Sequence, residues 1–133
     1  MFTADGIEGI EVLRTKIPTE LQSWGEFGCH IEDLHFFSDI NEYGVDIKCL
    51  DIILSDSEKR YRINLHFNNV SGKISFEPIN GFYSGLSIDN LSSSGYEKTK
   101  RFHIYSYEMD NDTDFYCEKV KAECILSKQK KIR

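Results

Sequence analysis

A chain of 133 residues, 40% of them hydrophobic and 13% aromatic, can bury the core of one ordinary domain, and its 29% charged residues supply a solvated exterior. The formal charge of −6 argues against nucleic acid as a partner, because an acidic surface repels phosphate backbones. Nowhere does an apolar run reach the ~18 residues of a membrane helix, and the start lacks the basic-then-apolar pattern of a secretory signal, so the expected compartment is the cytoplasm.

In chain order, GIEGIEVLRTKIP spaces Ile7, Ile10 and Leu13 like one helix face, while its Ile and Val content equally suits an extended segment. PTELQSWGEFG predicts one short helix. Thr19 follows a proline as a cap, Leu21 and Trp24 lie three apart, and Gly25 and Gly28 can end the turn. From residue 30 the hydrophobic period becomes two. CHIEDLH opens the first strand with Ile31, Leu34 and Phe36 as core anchors, and its broken alternation predicts a bulge.

VDIKCLDIIL sets Val45, Ile47, Cys49 and Asp51 on one face and Leu50, Ile52 and Leu54 on the other, which predicts burial on both sides near its end. RYRINLHF points Tyr61, Ile63, Leu65 and Phe67 inward and Arg60, Arg62, Asn64 and His66 outward. The polar SDSEK between them predicts an antiparallel hairpin. GKISFEP adds Ile74 and Phe76, FYSGLSID adds Phe82, Leu86 and Ile88, and RFHIYSYEM adds Phe102 and Ile104 opposite Tyr105 and Tyr107. FYCEKVKAECIL closes the series as one strand, with Val120, Ala122 and Cys124 at alternate positions. The expected fold is mainly β: an antiparallel sandwich or partly open barrel of about seven strands with a short N-terminal helix, in a single domain over residues 1–133.

The chemistry suggested by composition is thin. Four widely spaced cysteines, Cys29, Cys49, Cys117 and Cys124, read as reduced thiols, with Cys49 and Cys117 acting as small hydrophobes in strands. In CHIEDLH, His30 and His35 point to opposite faces of a strand, and six steps put Cys29 ~20 Å from His35, too far to share a zinc ion. A cross-strand set remains, in which Asp33 and His35 meet His66 and hold a metal or small ligand. Asp110, Asp112 and Asp114 imitate the first oxygen ligands of a calcium loop, but Phe115 stands where that loop needs glycine and Lys121 where it needs glutamate. No nucleophile elbow or phosphate-cradling glycine loop is present, so no cofactor and no catalysis are expected.

Charge is more informative. Between Cys29 and Glu58 only Lys48 opposes eight carboxylates, and between Phe102 and Glu118 five carboxylates stand with no Lys or Arg. Tyr107, Glu108, Asp110, Asp112, Asp114 and Tyr116 therefore form the candidate partner-binding set, an acidic turn flanked by tyrosines that would steer a basic protein. Tyr105 is expected beneath the N-terminal helix of a two-sided sandwich. Unpaired edge strands would also allow a homodimer.

Trp24 and Phe27, HIEDLHF, LHFNNVSGKISFEP, GLSIDNL and FYCEKVKAE together give a pattern that runs from about Trp24 to Ile125. The pattern resembles small β-rich immunity proteins of bacterial polymorphic-toxin loci, in which a Trp-containing segment precedes H-x-x-E/D and a later F-x-x-V precedes another strand. The resemblance implies a non-catalytic cytoplasmic protein that binds and neutralises a cognate toxin encoded nearby.

Overall fold

Strict alternation of apolar and polar residues forces sheets that keep one face dry and one face wet, and two such sheets can share a core. In the computed structural model, which describes residues 6–22, 30–56, 58–73, 86–91, 100–106 and 114–126, that is what the alternating segments do. Helix α1 (Ile10–Lys16) and a 3-10 turn (Thr19–Leu21) precede β1 (His30–Ile40), β2 (Asp46–Ser55), β3 (Tyr61–Asn68), β4 (Ser71–Lys73), β5 (Leu86–Asn90), β6 (Phe102–Ser106), β7 (Asp114–Cys117) and β8 (Lys119–Leu126). Among the described residues the strands form two antiparallel sheets, sheet A in the order β1-β2-β3-β8 and sheet B in the order β4-β7-β6-β5. The sandwich, and not a closed barrel, is the architecture adopted.

The dry faces meet in one cluster. Sheet A contributes Leu50, Ile52, Leu54, Ile63, Leu65, Phe67, Val120 and Ala122, and sheet B contributes Ile88, Phe102, Ile104, Phe115 and Cys117. Phe67 and Phe115 join the sheets edge to face, with ring centroids 5.3 Å apart, a geometry that adds about 1 kcal/mol beyond area burial. β2 is buried on both sides, since Ile47, Cys49 and Ser55 are removed from water on its other face.

Three expectations change at the level of elements. Helix forms at Ile10–Lys16, and the described part of the segment after Pro18 is a 3-10 turn with no side-chain cap from Thr19; residues 23–28 of the expected helix, Trp24 included, lie outside the described residues. Ile7, Ile10, Leu13 and Ile17 drive this choice, because all four enter the core as α1 packs against β8. Gly9 makes the approach feasible. Its φ is 89°, and a Cβ there would stand 2.2 Å from the Ala122 carbonyl oxygen, so glycine alone fits.

Second, FYCEKVKAECIL is two strands. The inward parity flips at Glu118, from Phe115 and Cys117 to Val120 and Ala122, and the chain passes there from sheet B to sheet A. Third, Ile31 and Leu34 pack on the core as expected, but Phe36 is half exposed. The predicted bulge is present, between Ile31 and Asp33. The antiparallel β2-β3 hairpin also forms. Ile74, Phe76 and Phe82 lie outside the described residues.

Among the described residues no helix is long and apolar enough to cross a membrane.

Candidate functional site

Each sheet has a wet face, and pairing register decides which side chains meet there. On sheet B, Asp89, His103 and Tyr116 are directly opposed on β5, β6 and β7, as are Tyr105 and Asp114 on β6 and β7. All five alternate with the inward Ile88, Phe102, Ile104, Phe115 and Cys117, so they share the outer face.

His103 is the centre of this group. Its ring stacks on Tyr116 with centroids 4.5 Å apart and planes 10° apart, and on Tyr105 at 4.6 Å. A carboxylate can only accept, so His103 Nε2 donates to Asp114 Oδ1 at 2.6 Å, while the Tyr105 hydroxyl donates to Asp89 Oδ2 at 2.9 Å. Lys100 Nζ lies over the Tyr116 ring, 5.4 Å from its centroid.

The result is a rigid patch whose rings are held by one another. Sugar or base recognition on a sheet uses open aromatic faces as platforms. Here His103 is stacked on Tyr105 and on Tyr116, and Lys100 lies over the Tyr116 ring, so these rings are already in contact with one another and with a cation. Pre-organised tyrosines with polar tips suit a protein surface, since little side-chain entropy remains to be lost on contact.

Of the sequence-derived partner set, Asp114 and Tyr116 take part in this patch, while Tyr107, Glu108, Asp110 and Asp112 lie outside the described residues. Tyr105 is a correction: α1 packs against β8, and Tyr105 sits on the outer face of sheet B, part-covered by His103. His103 and Asp89 were not singled out by sequence. The available signal was the parity they share with Tyr105 and Tyr116 once the strands are paired.

The outer face of sheet A carries the alternative set. His35, Asp51, His66 and Lys121 are directly opposed across all four strands. Asp33 and His35 share this face with His66, but β2 runs between them and Asp51 fills the intervening position. His66 Nδ1 donates to Asp51 Oδ1 at 2.5 Å, and His35 stacks on Phe37, centroids 4.8 Å apart. Among the described residues no three His, Cys, Asp or Glu side chains gather closely enough to hold a metal. An open concavity of about 320 Å³ lies beside the pair, lined by Asp51, Asn64, His66, Lys121 and Glu123, with no hydroxyl or thiol among the described lining residues.

The three described thiols are quiet, and Cys29 lies outside the described residues. Burial pushes Cys117 well above the usual thiol range and also raises Cys49 and Cys124, the opposite of what an activated nucleophile needs.

No protein-family model, no curated protein and no solved structure matches the chain.

Proposed function

We propose that this chain is a non-catalytic protein-binding domain of the immunity type, which neutralises a basic toxin domain encoded nearby by covering it. The observation that carries the reading is the outer face of sheet B, where Tyr105, His103 and Tyr116 are locked by Asp89 and Asp114 into a preformed acidic and aromatic patch. Such patches hold the binding hot spots of protein interfaces, and carboxylates around them speed encounter with a cationic partner.

The test is co-purification with the product of the adjacent gene. A tight complex that weakens as salt rises is expected, and combining Asp114→Lys with Tyr116→Ala should weaken it by about 100-fold or more. Failure to recover any partner at low salt would count decisively against the proposal.

A second reading rests on the concavity beside His66 and Asp51: a small polar ligand held against an imidazole fixed by its carboxylate. His66→Ala would then abolish ligand-induced shifts in amide resonances of β2 and β3 and leave toxin neutralisation unchanged.

A further inference from the structure

We propose that the outer edge of β1, over residues 33–40, is a second interaction surface that accepts one extended, basic segment of a partner protein as an added strand of sheet A.

The two edges of sheet A are treated differently. At β8 the chain caps itself: Glu8 N–H donates to the Val120 carbonyl at 2.9 Å, and Ala122 N–H donates to the Glu8 carbonyl at 2.7 Å. At β1 no described residue pairs with the outer edge. An uncovered edge presents a row of backbone donors and acceptors, and proteins normally blunt it with short length, bulges or lysines. β1 has 11 residues, its bulge lies before Asp33, and register with β2 is unbroken from Asp33 to Ile40. It contains no Lys or Arg.

Apolar exposure is concentrated along this edge and its hairpin tip. Phe36 is 50% exposed, Ile40 62%, Tyr43 80% and Val45 55%. The tip is held in place, because Asn41 Oδ1 accepts from the Tyr43 and Val45 N–H groups at 2.8 and 3.0 Å. Beside it a concavity of about 230 Å³ sets Glu42 and Glu118 against one base among its described lining residues, Lys119.

Charge selects the occupant. Glu32 is engaged by Arg62, but Asp33, Asp39, Glu42 and Asp46 are exposed and form no ion pair with a described residue. The one lysine of the hairpin, Lys48, donates to Ser38 Oγ. A second copy of this chain would set Asp33 and Asp39 of each β1 on adjacent strands, where like charges repel. A strand alternating Lys or Arg with apolar residues places its cations against these carboxylates and its apolar side chains against Phe36 and Ile40.

The surface is separate from the sheet B patch, and it depends on the reading above only in taking the partner to be a protein. The probe is a short synthetic peptide alternating lysine with valine, with a glutamate–valine peptide as its counterpart. Each is titrated into the full chain and followed by residue-resolved amide exchange. The lysine peptide should slow exchange within residues 33–40 and lose affinity with salt, and the glutamate peptide should do neither. Asp33→Lys with Asp39→Lys should weaken binding about ten-fold or more, whereas Glu11→Lys with Glu20→Lys, on the helical N-terminal segment, should not. Absence of protection at residues 33–40, or equal binding by the Asp33/Asp39 variant, overturns the proposal. So does self-association of the unmodified chain that this variant abolishes, since the occupant would then be a second copy. Because the peptide does not require the sheet B patch, loss of partner binding in Asp114 and Tyr116 variants reports on the other proposal alone.

Discussion

Gln22 is almost wholly removed from water, and its amide nitrogen is doubly used, donating to the Arg14 carbonyl at 3.0 Å and the Ile17 carbonyl at 2.7 Å. The last carbonyls of a helix have no partner within it, so this side chain satisfies the end of α1 from beyond the helix. Replacing it with leucine leaves two carbonyls unmet, and Gln22→Leu is expected to cost about 1–3 kcal/mol in urea denaturation. Nothing in PTELQSW reveals this. A glutamine in a polar run reads as solvated, and its partners lie five and eight residues back, across a turn whose path no local pattern specifies. His103 was hidden in the same way. Asp114 and Tyr116 were legible because charge and tyrosine content mark an acidic turn, whereas the histidine that stacks and binds them is identified only when β6 is laid beside β7.

At the scale of elements, sequence was most informative where one face is dry. Ile63, Leu65 and Phe67 are buried as their alternation requires, and the Ile31 to Asp33 bulge sits where that alternation breaks. The division at Glu118 was also written in the chain, as a shift of inward residues from odd to even positions, but no glycine, proline or polar turn cluster interrupts FYCEKVKAECIL to mark it. The connection between β2 and β3 depends on a residue that composition shows only as polar. Asp56 is buried, and its Oδ1 accepts the Arg60 and Tyr61 N–H groups at 2.8 and 2.9 Å, closing the turn that sets the hairpin register. Asp56→Ala removes the acceptor of both bonds and is expected to destabilise the fold by about 1–3 kcal/mol. Asp56→Asn keeps an oxygen at that position and should lose distinctly less. Equal losses in thermal melts of the two variants would mean that the ion pair to Arg60, 3.6 Å from Asp56 Oδ2, dominates instead.

For the whole molecule, the sandwich makes a single core in which sheet B supplies a thiol, Cys117, with no exposed surface. Burial raises the pKa of this thiol far above its ordinary value, with Glu118 adding a smaller push in the same direction. The folded protein therefore keeps the Cys117 proton at pH values where the unfolded chain has released it. A raised folded-state pKa gives stability that is present in full below the thiol's unfolded value and is lost as pH climbs toward the folded one. The loss is about 1.4 kcal/mol per pH unit once the unfolded thiol is ionised, above pH ~8.5. Seven tyrosines and the other thiols also titrate in this range, so the informative quantity is the difference between the parent and Cys117→Val, which keeps an apolar side chain at the site. Denaturant unfolding between pH 7 and pH 10 should show the variant losing about 2 kcal/mol less than the parent. Parallel curves would mean that the thiol does not hold its proton in the fold, and that water reaches the interface between the sheets at Cys117.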